Sequence, residues 1–167
     1  MTKFLLSLHV LAAIIAVGPV TVAASMFPPS ARKALAEPDS ERAVSAVRLL
    51  HRICRVYGGV GIAVPVLGFA TALSMGVLKD AWLIVSMLLT ALAAMVLLAL
   101  VLPRQEEILE GLGGTAVGTG AAAGTGTGTD AGPAATARLA MFTGVFNLLW
   151  ATVTVLMIVR PGSTTGA

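Results

Sequence analysis

The chain has 167 residues, of which 57% are hydrophobic and only 11% charged, against about 25% charged in an ordinary soluble domain. Its charges cluster between long apolar runs, which leaves little of the chain for a soluble domain, and its net charge of +3 sits beside those runs, where anionic lipid headgroups explain it better than nucleic acid does. The single cysteine, Cys54, excludes an intramolecular disulfide and a cysteine-rich metal site.

The first span is expected at about residues 4–27, an apolar run whose one ionisable side chain is His9. Pro28 and Pro29 are expected to stop it, since neither can donate to the helical ladder. A polar segment follows. In its second half Arg42, Ser45, Arg48, Arg52 and Arg55 share one side of a helical wheel, while Ala46, Val47, Leu50, Ile53 and Cys54 share the other. That is the pattern of a basic amphipathic helix, lying on the membrane surface or extending the next span, with Arg48, Arg52 and Arg55 toward lipid.

The second span is expected at about 56–78. Gly58, Gly61, Pro65, Gly68 and Ala72 recur there at steps of three and four, a small-residue face that lets helix backbones approach closely in lipid. Pro65 is expected to kink this helix. After the turn at Lys79 and Asp80, the third span is expected at about 81–102, ending at Pro103. Residues 111–137 form a Gly, Ala and Thr tract that reads as a flexible loop. Neither GxGxxG nor a P-loop lysine occurs in it, so no nucleotide-binding loop is indicated. The fourth span is expected at about 139–159, closed by Arg160 and Pro161. These elements make one all-α membrane domain, an antiparallel bundle of four transmembrane helices.

Of the eleven Lys and Arg residues, three (Lys3, Lys79 and Arg160) fall on the side of the two termini, and eight fall on the side of the two long connections. Basic residues mark the cytoplasmic face, so both termini are expected to be extracytoplasmic. The start of the chain also resembles a secretory signal, with Lys3, an apolar run and Val22-Ala23-Ala24, but a signal peptide needs the opposite orientation. Arginine, alanine and glycine are plentiful and lysine rare, a bias that suggests a GC-rich bacterial genome and hence the plasma membrane.

Ionisable residues inside spans are rare and usually functional. His9 shares its face with Ala12, Ala13, Ala16, Val20 and Ala23, so it is expected to point into the bundle. There an imidazole either bonds a neighbouring helix or serves as a haem or copper ligand. Asn147 shares a face with Thr143, Gly144, Trp150, Ala151 and Thr154 and is expected either to bond a neighbouring helix or to line a cavity. A conduit for a neutral solute would need that cavity to reach the outer face. His51 and Cys54 are three apart, but Arg48, Arg52 and Arg55 make a field that opposes a cation, so no metal is assigned to them. No span carries Asp, Glu, Lys or Arg, which argues against active transport. No Ser-His-Asp set, paired carboxylates or HExxH is present, so no catalytic residue is assigned.

The stretch LLSLHVLAAIIAVGP (5–19) and the closing MIVRPG (157–162) resemble a bacterial family of small four-span integral membrane proteins of unknown function, which implies no activity. More loosely, the first-span histidine is similar to one in copper-resistance membrane domains and haem-associated membrane protoporphyrinogen oxidases. That resemblance implies a ligand role for His9, although Ala16 and Val17 stand where a Trp often precedes a Gly pair. The reading that follows is a non-enzymatic membrane subunit or scaffold, with lipid and a membrane protein partner or a second copy as its contacts. The alternative is a haem- or copper-associated redox or transfer protein using His9.

Overall fold

The computed structural model describes residues 1–117 and 131–162, with side chains for 1–113 and 133–162. Its regular elements are α1 (Thr2–Ala36), α2 (Glu41–Val60), α3 (Ala63–Met75), α4 (Ala81–Met95), a π-helical segment (Val96–Val101), α5 (Leu102–Val117) and α6 (Ala131–Val159). Four helical stretches are long and apolar enough to cross a membrane: Thr2–Ala36, Glu41–Met75, Ala81–Gly113 and Pro133–Val159. The first two have 35 residues each, about 52 Å of helix, against about 30 Å of hydrocarbon. The excess carries the charged residues, so the helices continue past the apolar slab as a packed head.

This corrects the expected end of the first span. Helix α1 runs through Pro28 and Pro29 to Ala36. Two interior prolines cost on the order of 3 kcal/mol each, and burial offsets that. Phe27, Ala31 and Ala34 are fully buried and belong to one cluster with Ala43 and Val47 of α2. The helix ends where the Glu37 N–H reaches the Lys33 carbonyl at 3.0 Å, just before Pro38. Ser40 then caps α2 by accepting from the Ala43 N–H at 3.4 Å.

The second span is interrupted, as expected of Pro65. The break falls at Gly61 and Ile62, one turn ahead of Pro65, which stands in the first turn of α3. The Gly61 carbonyl, which Pro65 cannot serve, accepts from the Val64 N–H at 3.1 Å instead. At the other end Gly76 takes a left-handed conformation, φ 72°, which closes the helix and starts the turn to Asp80. Pro103 fails to end the third span. The chain widens into the π-turn just before it, with the Leu102 N–H bonded to the Leu97 carbonyl five residues back, and α5 continues to Val117. Residues 111–117 and 131–137 of the Gly/Thr tract are therefore helical, and 118–130 lie outside the described residues.

Helix α1 is the hub, packed against α2, α3, α5 and α6, with α4 against α6. The main buried cluster runs from Val20 and Ala23 through Phe27 to Ile108, Leu112 and Leu139, and so lies toward the charged end. A smaller cluster of Ala72, Trp82 and Leu83 sits at the other end. There the Trp82 indole donates to Asp80 Oδ2 at 3.1 Å, and the Arg160 guanidinium stands 5.6 Å from the Trp82 ring centre. Large apolar side chains such as Ile14, Ile15, Leu88, Leu148 and Ile158 are exposed, as lipid contact requires.

Candidate functional site

Three polar constellations interrupt the apolar interior. The first is built on His9. The face expected to turn inward does so: His9, Ala16, Val20 and Ala23 are buried. His9 Nδ1 lies 2.9 Å from the Val64 carbonyl, and a carbonyl only accepts, so Nδ1 donates this bond. The imidazole rests on Gly68, where a Cβ would come within 2.9 Å of His9 Cε1. Only glycine leaves room for the ring. The small-residue face of the second span thus divides between partners. Gly68 receives His9, a Cβ at Gly58 would touch Leu97 at 3.4 Å, Ala72 joins the Trp82 cluster, and Gly61 forms the break.

The second constellation joins α1 to α6. Asn147 donates from Nδ2 to Ser25 Oγ at 3.1 Å. Its Oδ1 and the Thr143 hydroxyl are both buried without a hydrogen-bond partner among the described residues. They line a cavity of about 350 Å³ with Ser25, Pro28, Pro29, Arg32, Ala140 and Gly144. The inward face of α6 is not centred on Asn147 as its wheel suggested. Leu139, Thr143, Phe146 and Val153 are buried, Trp150 meets Phe146 edge-on, and Ala151 and Thr154 face outward. The larger aromatic surface of Phe146 turns the helix and leaves Asn147 on the flank. Its cavity is lined by Arg32 of α1 as well as by α6. His9 and Asn147 take separate partners.

The third constellation lies in the head. His51 Nδ1 donates to Gln105 Oε1 at 3.1 Å, and Gln105 Nε2 is placed to donate to Cys54 Sγ at 3.6 Å. Gln105 and Cys54 are fully buried. Cys54 lies outside the apolar run that begins at Val56, and burial pushes its thiol pKa up, so it stands as a neutral, poorly nucleophilic group. His51 Nε2 and Arg55 Nη1 both face Glu106 Oε1, at 3.7 and 3.8 Å. Arg55 is therefore partnered by a carboxylate, whereas Arg48 and Arg52 are simply exposed. His51 and Cys54 do share a face, and a glutamine bridges them.

Gln105 and Ser25 were not singled out from the sequence. Gln105 had a signal, being four residues after Val101 and three before Ile108 on one apolar stripe. Ser25 had none, since its role depends on the register of α6. A second, apolar cavity of about 110 Å³ lies mid-bundle among Ala16, Val20, Tyr57, Pro65, Leu97 and Trp150.

No group of three or more His, Cys, Asp or Glu converges among the described residues. The His9 ring is backed directly by Gly68, and it lines neither of the two cavities. No protein-family model matches the chain, and neither a curated protein nor a solved structure matches it.

Proposed function

We propose that the chain is a non-enzymatic subunit or scaffold of a bacterial plasma membrane, its four spans antiparallel, both termini extracytoplasmic and its head cytoplasmic. The observation that carries this reading is the head itself. Ala31, Ala34, Val47, Ile108 and Leu112 are buried there, on helix lying beyond the expected apolar spans, and His51, Gln105 and Cys54 pin α2 to α5 within it. A chain that only had to cross a bilayer has no use for an ordered core outside it. On the outer side of α2, Arg42, Arg48 and Arg52 are exposed, the charged side of a basic amphipathic helix. Like charges at i,i+4, as at 48 and 52, repel by about 0.2–0.5 kcal/mol. That favours a negatively charged surface against them, supplied by anionic headgroups near the membrane and by an acidic protein face above it.

The test is a photo-crosslinking residue at position 48, activated in native membranes. An adduct of discrete mass containing a second polypeptide, or a second copy of this chain, is expected. Adducts to lipid alone would overturn the scaffold reading.

A further inference from the structure

We propose that the cleft between α1 and α6 at Asn147 binds a hydroxylated phosphate ester, with its phosphate at Arg32 and a hydroxyl directed to Thr143 and Asn147. The cleft measures about 350 Å³, room for roughly ten water molecules at about 30 Å³ each and thus for a small polar headgroup. Its inner wall holds two unmet polar groups. Asn147 Oδ1 can only accept, and the Thr143 hydroxyl, which can donate or accept, has no partner among the described residues although Thr143 is only 3% exposed. Buried unmet polar groups are costly, and an acceptor beside a free hydroxyl calls for an occupant whose own hydroxyls both donate and accept. A proline adds to this demand. Pro29 has no N–H, so the carbonyl of Ser25, which lines the same cavity, loses its helical donor.

At the rim the sign reverses. Arg32 is exposed and forms no ion pair among the described residues, so the rim favours an anion. A ligand with hydroxyl donors inward and an anionic oxygen outward meets both demands; a choline headgroup, having no donor, meets only the second. The glycerol phosphate unit of phosphatidylglycerol has this chemistry, and so does free sn-glycerol 3-phosphate. The site does not depend on a protein partner, and it lies on a different helix pair from the exposed arginines of α2.

The experiment uses the full chain in a mild neutral detergent and reads both the thermal midpoint and the ligand retained in native mass spectrometry. Phosphatidylglycerol is expected to be retained and to raise the midpoint, and phosphatidylcholine is not. Thr143→Val, which leaves every charge in place, is expected to weaken retention about fivefold. Arg32→Gln, at an exposed position where folding is not at stake, should weaken it by at least as much, whereas Arg48→Gln should leave it unchanged. An equal shift from sn-glycerol 3-phosphate would confirm the chemistry and make the source soluble. The proposal is overturned if neither glycerol compound binds, if phosphatidylcholine binds equally, or if Thr143→Val and Arg32→Gln retain the ligand as the wild type does.

Discussion

At the residue scale, the interior polar groups act mainly as struts, and each strut makes a neighbour unforgiving. Gly68 is the sharpest case. An alanine there places Cβ 2.9 Å from His9 Cε1, so the ring must shift and its bond to the Val64 carbonyl must lengthen. Gly68→Ala is expected to destabilise the bundle by about 1–3 kcal/mol, measured by denaturant unfolding in detergent. In the His9→Ala background the same change should cost much less, and a double-mutant cycle without coupling would show that the contact does not matter. Gln105 is a second strut. Replacing it by Leu leaves His51 Nδ1 and the Cys54 thiol without their partner, a loss of about 1–3 kcal/mol. Cys54 is fully buried, so its maleimide labelling should be slow in the wild type and clearly faster in Gln105→Leu. His9 and its small-residue face were legible in the sequence because helical periodicity places them together. The bond to Val64 was not, because it depends on the register of another helix.

At the scale of elements, the four apolar runs could be read with little ambiguity, and the errors all fell at prolines. Pro28, Pro29 and Pro103 each look like punctuation in one dimension. In the fold they are absorbed by two devices: burial of Phe27 and Ala31 on α2, and a widened turn ahead of α5. Neither device has a residue signature of its own, because what compensates is packing against another part of the chain. The widened turn has a traceable geometry. Ala93, Leu97, Val101 and Gln105 are all buried at steps of four, which a regular 3.6-residue helix would let drift by about 40° each time. The π-turn holds them on one face. Deleting exposed Ala99 should convert the turn to ordinary helix while keeping Trp82 and Ile108 on their faces, so the variant is expected to fold with a modest loss of stability. Deleting Leu88, in the regular part of α4, should rotate everything beyond it by about 100° and abolish the monodisperse peak in size-exclusion chromatography.

At the scale of the whole molecule, the proposed orientation rests on the uneven division of basic residues between the two ends. A reporter fused after Ala167 is expected to behave as extracytoplasmic, and a cytoplasmic signal there would refute the proposed topology. The sequence pattern announced the side with more arginine, but not that a packed head stands on it, since alanines such as Ala31 and Ala34 read equally well as loop or core until a partner helix covers them. The length of α2 has a consequence for salt. Arg42 and Arg55 are thirteen residues apart on one helix, about 20 Å along its axis, while the Debye length in physiological salt is about 8 Å. If α2 stands along the bundle axis, Arg55 lies inside the ionic atmosphere of the headgroups and Arg42 lies beyond it. The stripe then acts as a graded reader of ionic strength, in which diluting the buffer recruits its arginines to the membrane one after another, from the bilayer outward.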